Sequence, residues 1–306
     1  MTSWNAADIP DQTGRLAVVT GANSGVGRVM ATELARHGAD VVLAVRNLAA
    51  GEDAARTIAA AAPGAKLQVR ELDLASLASV HAFAEGLAQE HPKIDLLVNN
   101  AGLVVLGGRQ TTADGFELHL GTNMLGPFAL TGLLLPLVAR GDQPRVVSLS
   151  SITHKTAHLD FADLMSERRY WAPTSYGASK LATTAFAIEL DRRLRAAASP
   201  VRSALAHPGV SRTNLTPRAW GYPGPIGQLA TRLFLLSAQP VERGALPPLF
   251  AATAPDVRGG QFFGPDGFRE RWGRVTEVRA STEAADPAVG RRLWEVAQEA
   301  TGVEYL

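Results

Sequence analysis

A chain of 306 residues, 46% hydrophobic and 19% charged, carries enough apolar material for a large core and too much for disorder. Its net charge of +1 gives no bulk field to attract nucleic acid or anionic lipid, so neither is expected as a partner. It has no cysteine, which excludes disulfides, thiolate nucleophiles and zinc–cysteine sites.

The opening MTSWNAADIPDQTGR is polar and acidic, unlike a signal peptide or a membrane anchor, and predicts a cytoplasmic protein. LAVVT (16–20) reads as a strand, followed by a helix in GVGRVMATELARHG (25–38). VVLAV (41–45) is a second strand, and an alanine-rich helical stretch runs to Ala62. KLQVRELD (66–73), SLASVHAFAEGLAQEH (76–91) and DLLVNN (95–100) continue the strand–helix alternation. The run from Leu118 to Ala139 has no formal charge. Its Asn123, Gly126, Pro127, Gly132 and Pro136, and flanks without aromatic anchors, predict a helix buried inside the protein and no membrane span. RVVSLS (145–150), a polar insertion over 152–173, a helix from about Thr174 to Ala198 and VRSALAH (201–207) follow. His154 and His158 stand four apart in the insertion, but no metalloprotease carboxylate motif accompanies them, so no metal is expected.

Apolar strands without polar alternation, each followed by a helix, imply a parallel sheet covered on both faces. The expected fold is α/β, a Rossmann-type doubly wound parallel sheet in three layers, as a single domain over 1–306 with no linker or repeat. The insertion 152–173 and the segment 211–240 follow strand C-termini, the edge where such sheets bind ligands. The uncharged helix and the helix over 174–198 are candidates for a homo-oligomer interface.

Two stretches carry chemistry. VTGANSGVG (19–27) ends the first strand with Gly21, Gly25 and Gly27, which allow a tight turn and bring backbone N–H groups close to a pyrophosphate at a helix N-terminus. A strand–helix turn without ligand would use the same glycines. In SYGASK (175–180), Tyr176 and Lys180 are four apart and share a helical face. An ammonium so placed should lower the tyrosine pKa from about 10 and make it a general acid–base; an exposed Tyr–Lys pair on a surface helix is the plainer reading.

Taken in order, TGANSGVG, NNAG (99–102), the serine pair 150–151, YGASK and HPG (207–209) resemble the short-chain dehydrogenase/reductase family, from about Gly14 to Val303. LAVRN, SSITH (150–154), the long interval from Ser151 to Tyr176 and RRLWEV (291–296) are similar to its retinol-dehydrogenase-like and WW-domain-oxidoreductase-like branch. That branch is usually membrane-anchored in animals, and the polar start here predicts no such anchor. The resemblance implies an NAD(P)-dependent oxidoreductase of small-molecule alcohols and carbonyls, with direct hydride transfer at the nicotinamide. It implies Tyr176 as proton donor or acceptor, Lys180 as the residue on the nicotinamide ribose, Ser151 orienting the substrate oxygen with Ser150 as a structural neighbour, and Asn123 supporting a water relay to the lysine. It places Gly21, Asn23, Ser24, Gly25, Val26 and Gly27 on the pyrophosphate, and Asp73 and Leu74 at the adenine. Asn100, Ala101 and Gly102 fall beside the adenosine ribose, Pro208, Gly209 and Val210 fall on the cofactor, and Thr213 near its carboxamide or pyrophosphate.

In the same frame the acidic residue that binds the 2′-hydroxyl of NAD would fall at Val45, and Arg46 and Asn47 follow it. A guanidinium fits a 2′-phosphate, so NADP(H) is expected to be preferred, with NAD(H) also accepted. Trp220, Tyr222, Leu229, Leu233 and Phe234 in the covering segment suggest a bulky, largely apolar substrate. Two other readings use the fold: a non-catalytic NADP-binding sensor, and an epimerase or dehydratase of nucleotide sugars.

Overall fold

The computed structural model describes residues 4–211 and 238–306. Strands β1 (Leu16–Thr20), β2 (Asp40–Val45), β3 (Leu67–Glu71), β4 (Leu96–Asn99), β5 (Arg145–Leu149), β6 (Arg202–Ala206) and β7 (Phe262–Pro265) form a parallel sheet in the order β3-β2-β1-β4-β5-β6-β7. β8 (Val275–Glu277) closes its edge antiparallel to β7. Every residue of β1, β4 and β5 is buried, because helices cover both faces. Alternate residues of one strand serve opposite faces: Ala17 and Val19 pack with Met30, Leu34 and Ile58, whereas Val18 packs with Phe83, Phe128 and Leu181.

The first face is covered by α1 (Gly25–Arg36), α2 (Leu48–Ala61) and α7 (Val241–Thr253). The other carries α3 (Leu77–Glu90), the helical run from α4 (Leu118–Leu120) to α5 (Gly126–Val138), and α6 (Ala172–Ala196). This is the three-layer α/β architecture that the alternation predicts. The uncharged run differs from a plain helix, since a π-helical turn over Gly121–Leu125 separates α4 from α5. Leu118–Val138 is long and apolar enough to cross a membrane, but its most apolar window is 89% buried inside the protein.

A four-residue helix, α8 (Thr282–Ala285), and the 15-residue α9 (Pro287–Thr301) are the last helices. Trp294 of α9 is buried against Phe128 of α5, Phe186 of α6 and Tyr305, with ring centroids 5.0, 6.0 and 4.8 Å away. Gly132 of α5 lets the Tyr305 ring approach, where a Cβ would overlap it. The chain's own C-terminus therefore covers the faces around Phe128 and Phe186, on the two helices that the sequence offered for a subunit interface.

Candidate active site

Thr20, the last residue of β1, is fully buried and joins two strand ends. Its hydroxyl donates to Val98 O (3.2 Å) and accepts the N–H groups of Asn100 (3.0 Å) and Ala101 (2.9 Å). The Asn100 side chain returns the contact, donating Nδ2 to Thr20 O at 2.7 Å. The glycine loop lies on this joint. Gly21 has φ +67° and Gly25 φ +57°, values that favour glycine. A Cβ on Gly21 would lie 3.0 Å from Ala101 Cα, and one on Gly27 would overlap the Asn100 amide. Asn23 and Ser24 stay partly exposed, Val26 and Gly27 are buried, and Ser24 starts α1 without a side-chain cap bond. The first N–H groups of α1 are thus left to face a ligand, and this glycine cradle fits the pyrophosphate of a nicotinamide dinucleotide.

The adenosine side lies one and two strands away. Thr20 is level with Ala44 in the β1–β2 register, so Arg46 stands just past the level of Gly21, about 5 Å across. Val45 is buried, with its side chain closing on Gly51 of α2, and Arg46 is exposed. Among the described residues Arg46 has no carboxylate partner. Asn47 caps α2, its Oδ1 accepting the Ala50 N–H at 2.9 Å, so only its amide nitrogen remains to donate. Asp73, after β3, accepts the Ala75 N–H at 2.9 Å. Leu74 is buried in the core, which leaves its backbone, and not its side chain, to meet an adenine.

The reacting side is built by β4, β5, the π turn and α6. Ser150 is buried and bonds Thr184 Oγ1 at 2.7 Å, whereas Ser151 is partly exposed and caps a 3₁₀ turn, accepting the Thr153 N–H at 3.3 Å. The Ser151 hydroxyl faces the Tyr176 phenol and favours its ionised form. Lys180 is 6% exposed and donates from Nζ to Leu149 O at 2.9 Å. Burial pushes the Lys180 ammonium down to about 8. Burial also pushes the Tyr176 phenol above its ordinary value, with the Ser151 hydroxyl only partly opposing it. The expectation that Lys180 lowers the tyrosine is thereby corrected. In this interior burial dominates and Ser151 opposes it only in part, so Tyr176 is a protonated acid at neutral pH.

Asn123 lies in the π turn, a distortion that recurs at functional sites. Its Oδ1 accepts the Leu103 N–H (2.8 Å) and its Nδ2 donates to Ser179 Oγ (2.9 Å), while its own carbonyl accepts from Thr183 Oγ1 (3.0 Å). Gly102 packs between the two polar residues, since a Cβ there would lie 3.2 Å from both Asn123 Oδ1 and Lys180 Nζ. After β6, Gly209 (φ +62°) donates its N–H to His207 Nδ1 at 3.1 Å, and Val210 donates to Arg271 O at 2.8 Å. Pro208 O accepts from Ser211 Oγ and Gln239 Nε2, both at 2.8 Å.

The glycine loop, Asn100–Gly102, Asn123, Ser151, Tyr176, Lys180 and Pro208–Val210 thus meet at the C-terminal edge of the sheet, with Arg46, Asn47 and Asp73 further along it. Thr213, Trp220, Tyr222, Leu229, Leu233 and Phe234 lie outside the described residues. Sequence reasoning missed Thr20, Ser179, Glu117 and His119. The spacing of His119 four residues before Asn123 was the available signal for one of them.

The family model for short chain dehydrogenases matches residues 15–220. Retinol dehydrogenase 12 of Mus musculus is 37% identical over 294 residues, covering 95% of this chain and 88% of that protein. Polyprenol dehydrogenase of Mus musculus is 39% identical, covering 96% and 86%. The crystal structure of an uncharacterized protein from Mycobacterium paratuberculosis is similar over 100% of both chains, with 40% identity and a TM-score of 0.82.

Proposed function

This chain belongs to the short-chain dehydrogenase family and is an oxidoreductase of CH–OH and C=O groups, and from that premise we propose that it uses NADP(H) on a bulky, largely apolar alcohol or carbonyl compound. The observation that carries the reading is the buried Lys180, its Nζ held by Leu149 O, on the helix that also bears Tyr176 and beside the Ser151 loop, on the same edge as the glycine cradle.

When bound, the nicotinamide gives or takes the hydride. Tyr176 gives its proton to the substrate oxygen in reduction and takes it back in oxidation, while Ser151 Oγ orients that oxygen. Lys180 Nζ, fixed by Leu149 O, would hold the nicotinamide ribose. Asn123 holds Leu103 and Ser179 and so keeps the lysine side of the site in shape. A sensor that only binds the nucleotide has no use for a protonated tyrosine set beside a partly exposed serine. Retinol and polyprenol, named in two relatives, are apolar alcohols, which supports the substrate class.

The NADP(H) preference rests on Arg46, exposed at the end of β2 and without a carboxylate partner among the described residues, where Val45 supplies no carboxylate for a ribose hydroxyl. A charge-assisted contact to a 2′-phosphate is worth roughly 10- to 150-fold in affinity. Arg46→Ala should raise KM for NADPH by that factor and leave KM for NADH nearly unchanged in steady-state assays. Equal losses with both cofactors, or a wild type that prefers NADH, would refute the assignment.

A further inference from the structure

Two buried groups take no part in this chemistry yet border on it. Glu117 and His119, 1% and 0% exposed, stand at the start of α4. His119 Nε2 accepts the Val105 N–H at 3.1 Å. That nitrogen is therefore unprotonated, and the ring proton sits on Nδ1, which faces Glu117 Oε1 at 3.0 Å and Ser175 Oγ at 3.3 Å. The Glu117 carboxylate also accepts the N–H groups of His119 (3.0 Å) and Leu120 (2.8 Å). Burial raises this carboxyl, but the bonds from His119 and Leu120 together outweigh it and hold it below the usual range. The His119 ring meets the Tyr176 ring edge-on, with centroids 6.0 Å apart.

One imidazole thus ties the loop after β4 to the turn of α6 that bears Ser175 and Tyr176. Asn123, one helical turn further on, grips the same loop at Leu103. Between these anchors Leu103 and Val105 are partly exposed and Leu106 is 38% exposed, directly after the Gly102 that packs on Lys180. An apolar strip pinned at two points beside the reacting tyrosine has the form of a preorganised pocket wall.

We propose that Leu103–Leu106 is the apolar wall of the substrate site and that His119, oriented by Glu117, is the positioning residue that fixes this wall against Tyr176. The inference rests on the oxidoreductase reading and adds the place where its substrate lies. Its test uses the full-length enzyme with NADPH and a series of aliphatic and isoprenoid carbonyl compounds of increasing size. His119→Phe keeps ring volume without an acceptor; His119→Gln restores an acceptor near Nε2; Leu106→Ala changes an exposed side chain that folding does not depend on.

For the bulky substrates KM should rise about tenfold in His119→Phe and severalfold in Leu106→Ala. It should return most of the way to wild type in His119→Gln, with KM for NADPH within about twofold throughout. Hydrogen exchange of the Val105 amide should quicken in His119→Phe and slow again in His119→Gln. If KM for bulky substrates stays at the wild-type value in both His119→Phe and Leu106→Ala, or His119→Gln is no better than His119→Phe, the inference is wrong. Should His119→Phe not fold, Leu106→Ala and His119→Gln with Val105 exchange still decide it. A wild type that turns over no carbonyl in the series overturns the proposed function instead, and the exchange data then judge the anchoring alone.

Discussion

At Lys180 stability and chemistry pull in opposite directions. An ammonium held at about 8 instead of the ordinary 10.5 costs the folded state about 3 kcal/mol below pH 8, where both folded and unfolded chains carry the charge. The cost fades as pH rises from 8 to 10.5, because the folded protein loses its proton first. The bond to Leu149 O returns part of it, about 1–1.5 kcal/mol. Lys180→Met should therefore stabilise the protein at pH 7 by about 1–2 kcal/mol, with a gain that vanishes toward pH 10.5, and should lose at least about 10²-fold in turnover. Calorimetry across that pH range beside an NADPH assay reads both, and a variant less stable than wild type at pH 7 would contradict the account. Tyr176 and Lys180 were legible in the sequence because an i,i+4 pair needs only helical geometry. Ser151 was legible only through resemblance, since a hydroxyl in a loop has no periodicity. Thr20 was invisible, because a threonine closing an apolar strand reads as an ordinary strand former.

Between elements, the loops after β5, β6 and β7 are clamped by Lys155, His207 and Glu270. His207 Nδ1 accepts the Gly209 N–H, so Nε2 carries the proton and donates to Glu270 Oε2 at 2.9 Å, while Lys155 pairs with Oε1. Arg269 and Glu270 both sit in the left-handed region, φ 50° and 57°, at a cost of order 1 kcal/mol each. The contacts of the carboxylate offset that strain. Burial raises Glu270, but His207 and Lys155 outweigh it and bring it to about 2, so its stabilisation is full above the ordinary 4.5 and is lost as pH falls from there toward 2. His154, which burial lowers to about 4, and buried His207, also lowered, already erode stability below their ordinary 6.5. Glu270→Gln should leave that upper slope intact and flatten the part below pH 4.5. The expected loss above pH 5 is about 1–2 kcal/mol after discounting for solvent at the partly exposed pair. Parallel thermal melts from pH 7 to 3 check this, and identical slopes for both proteins below 4.5 would refute it. The sequence did not reveal this clamp, nor β7, β8 and α7. Four residues ending in Gly264 and Pro265 carry no strand signature, and Pro247 and Pro248 hide a helix. The π turn was equally hidden, since one extra residue leaves no mark on a long uncharged run.

Across the whole molecule, the order of the parallel strands follows from the strand–helix alternation, because right-handed crossovers leave few other arrangements. The docking of the C-terminus does not. The amphipathic period of α9 shows that one face is buried but not which helices receive it. The structure seats it on α5 and α6, with Trp294 sealed by Phe128, Phe186 and Tyr305 and with the Arg193 guanidinium 4.4 Å above its ring. Among the described residues the indole nitrogen finds no hydrogen-bond partner, so packing and the cation–π contact hold the ring in place. Phe186 lies ten residues past Tyr176 on α6, about 15 Å along the axis, which separates this seal from the chemistry. Trp294→Ala should then cost about 3–5 kcal/mol, read as a lower midpoint in denaturant, while KM for NADPH stays within about twofold of wild type at 25 °C. It should also open an apolar cavity over Phe128 and promote self-association, visible in sedimentation velocity. An unchanged denaturation midpoint would mean that α9 does not seal α5 and α6.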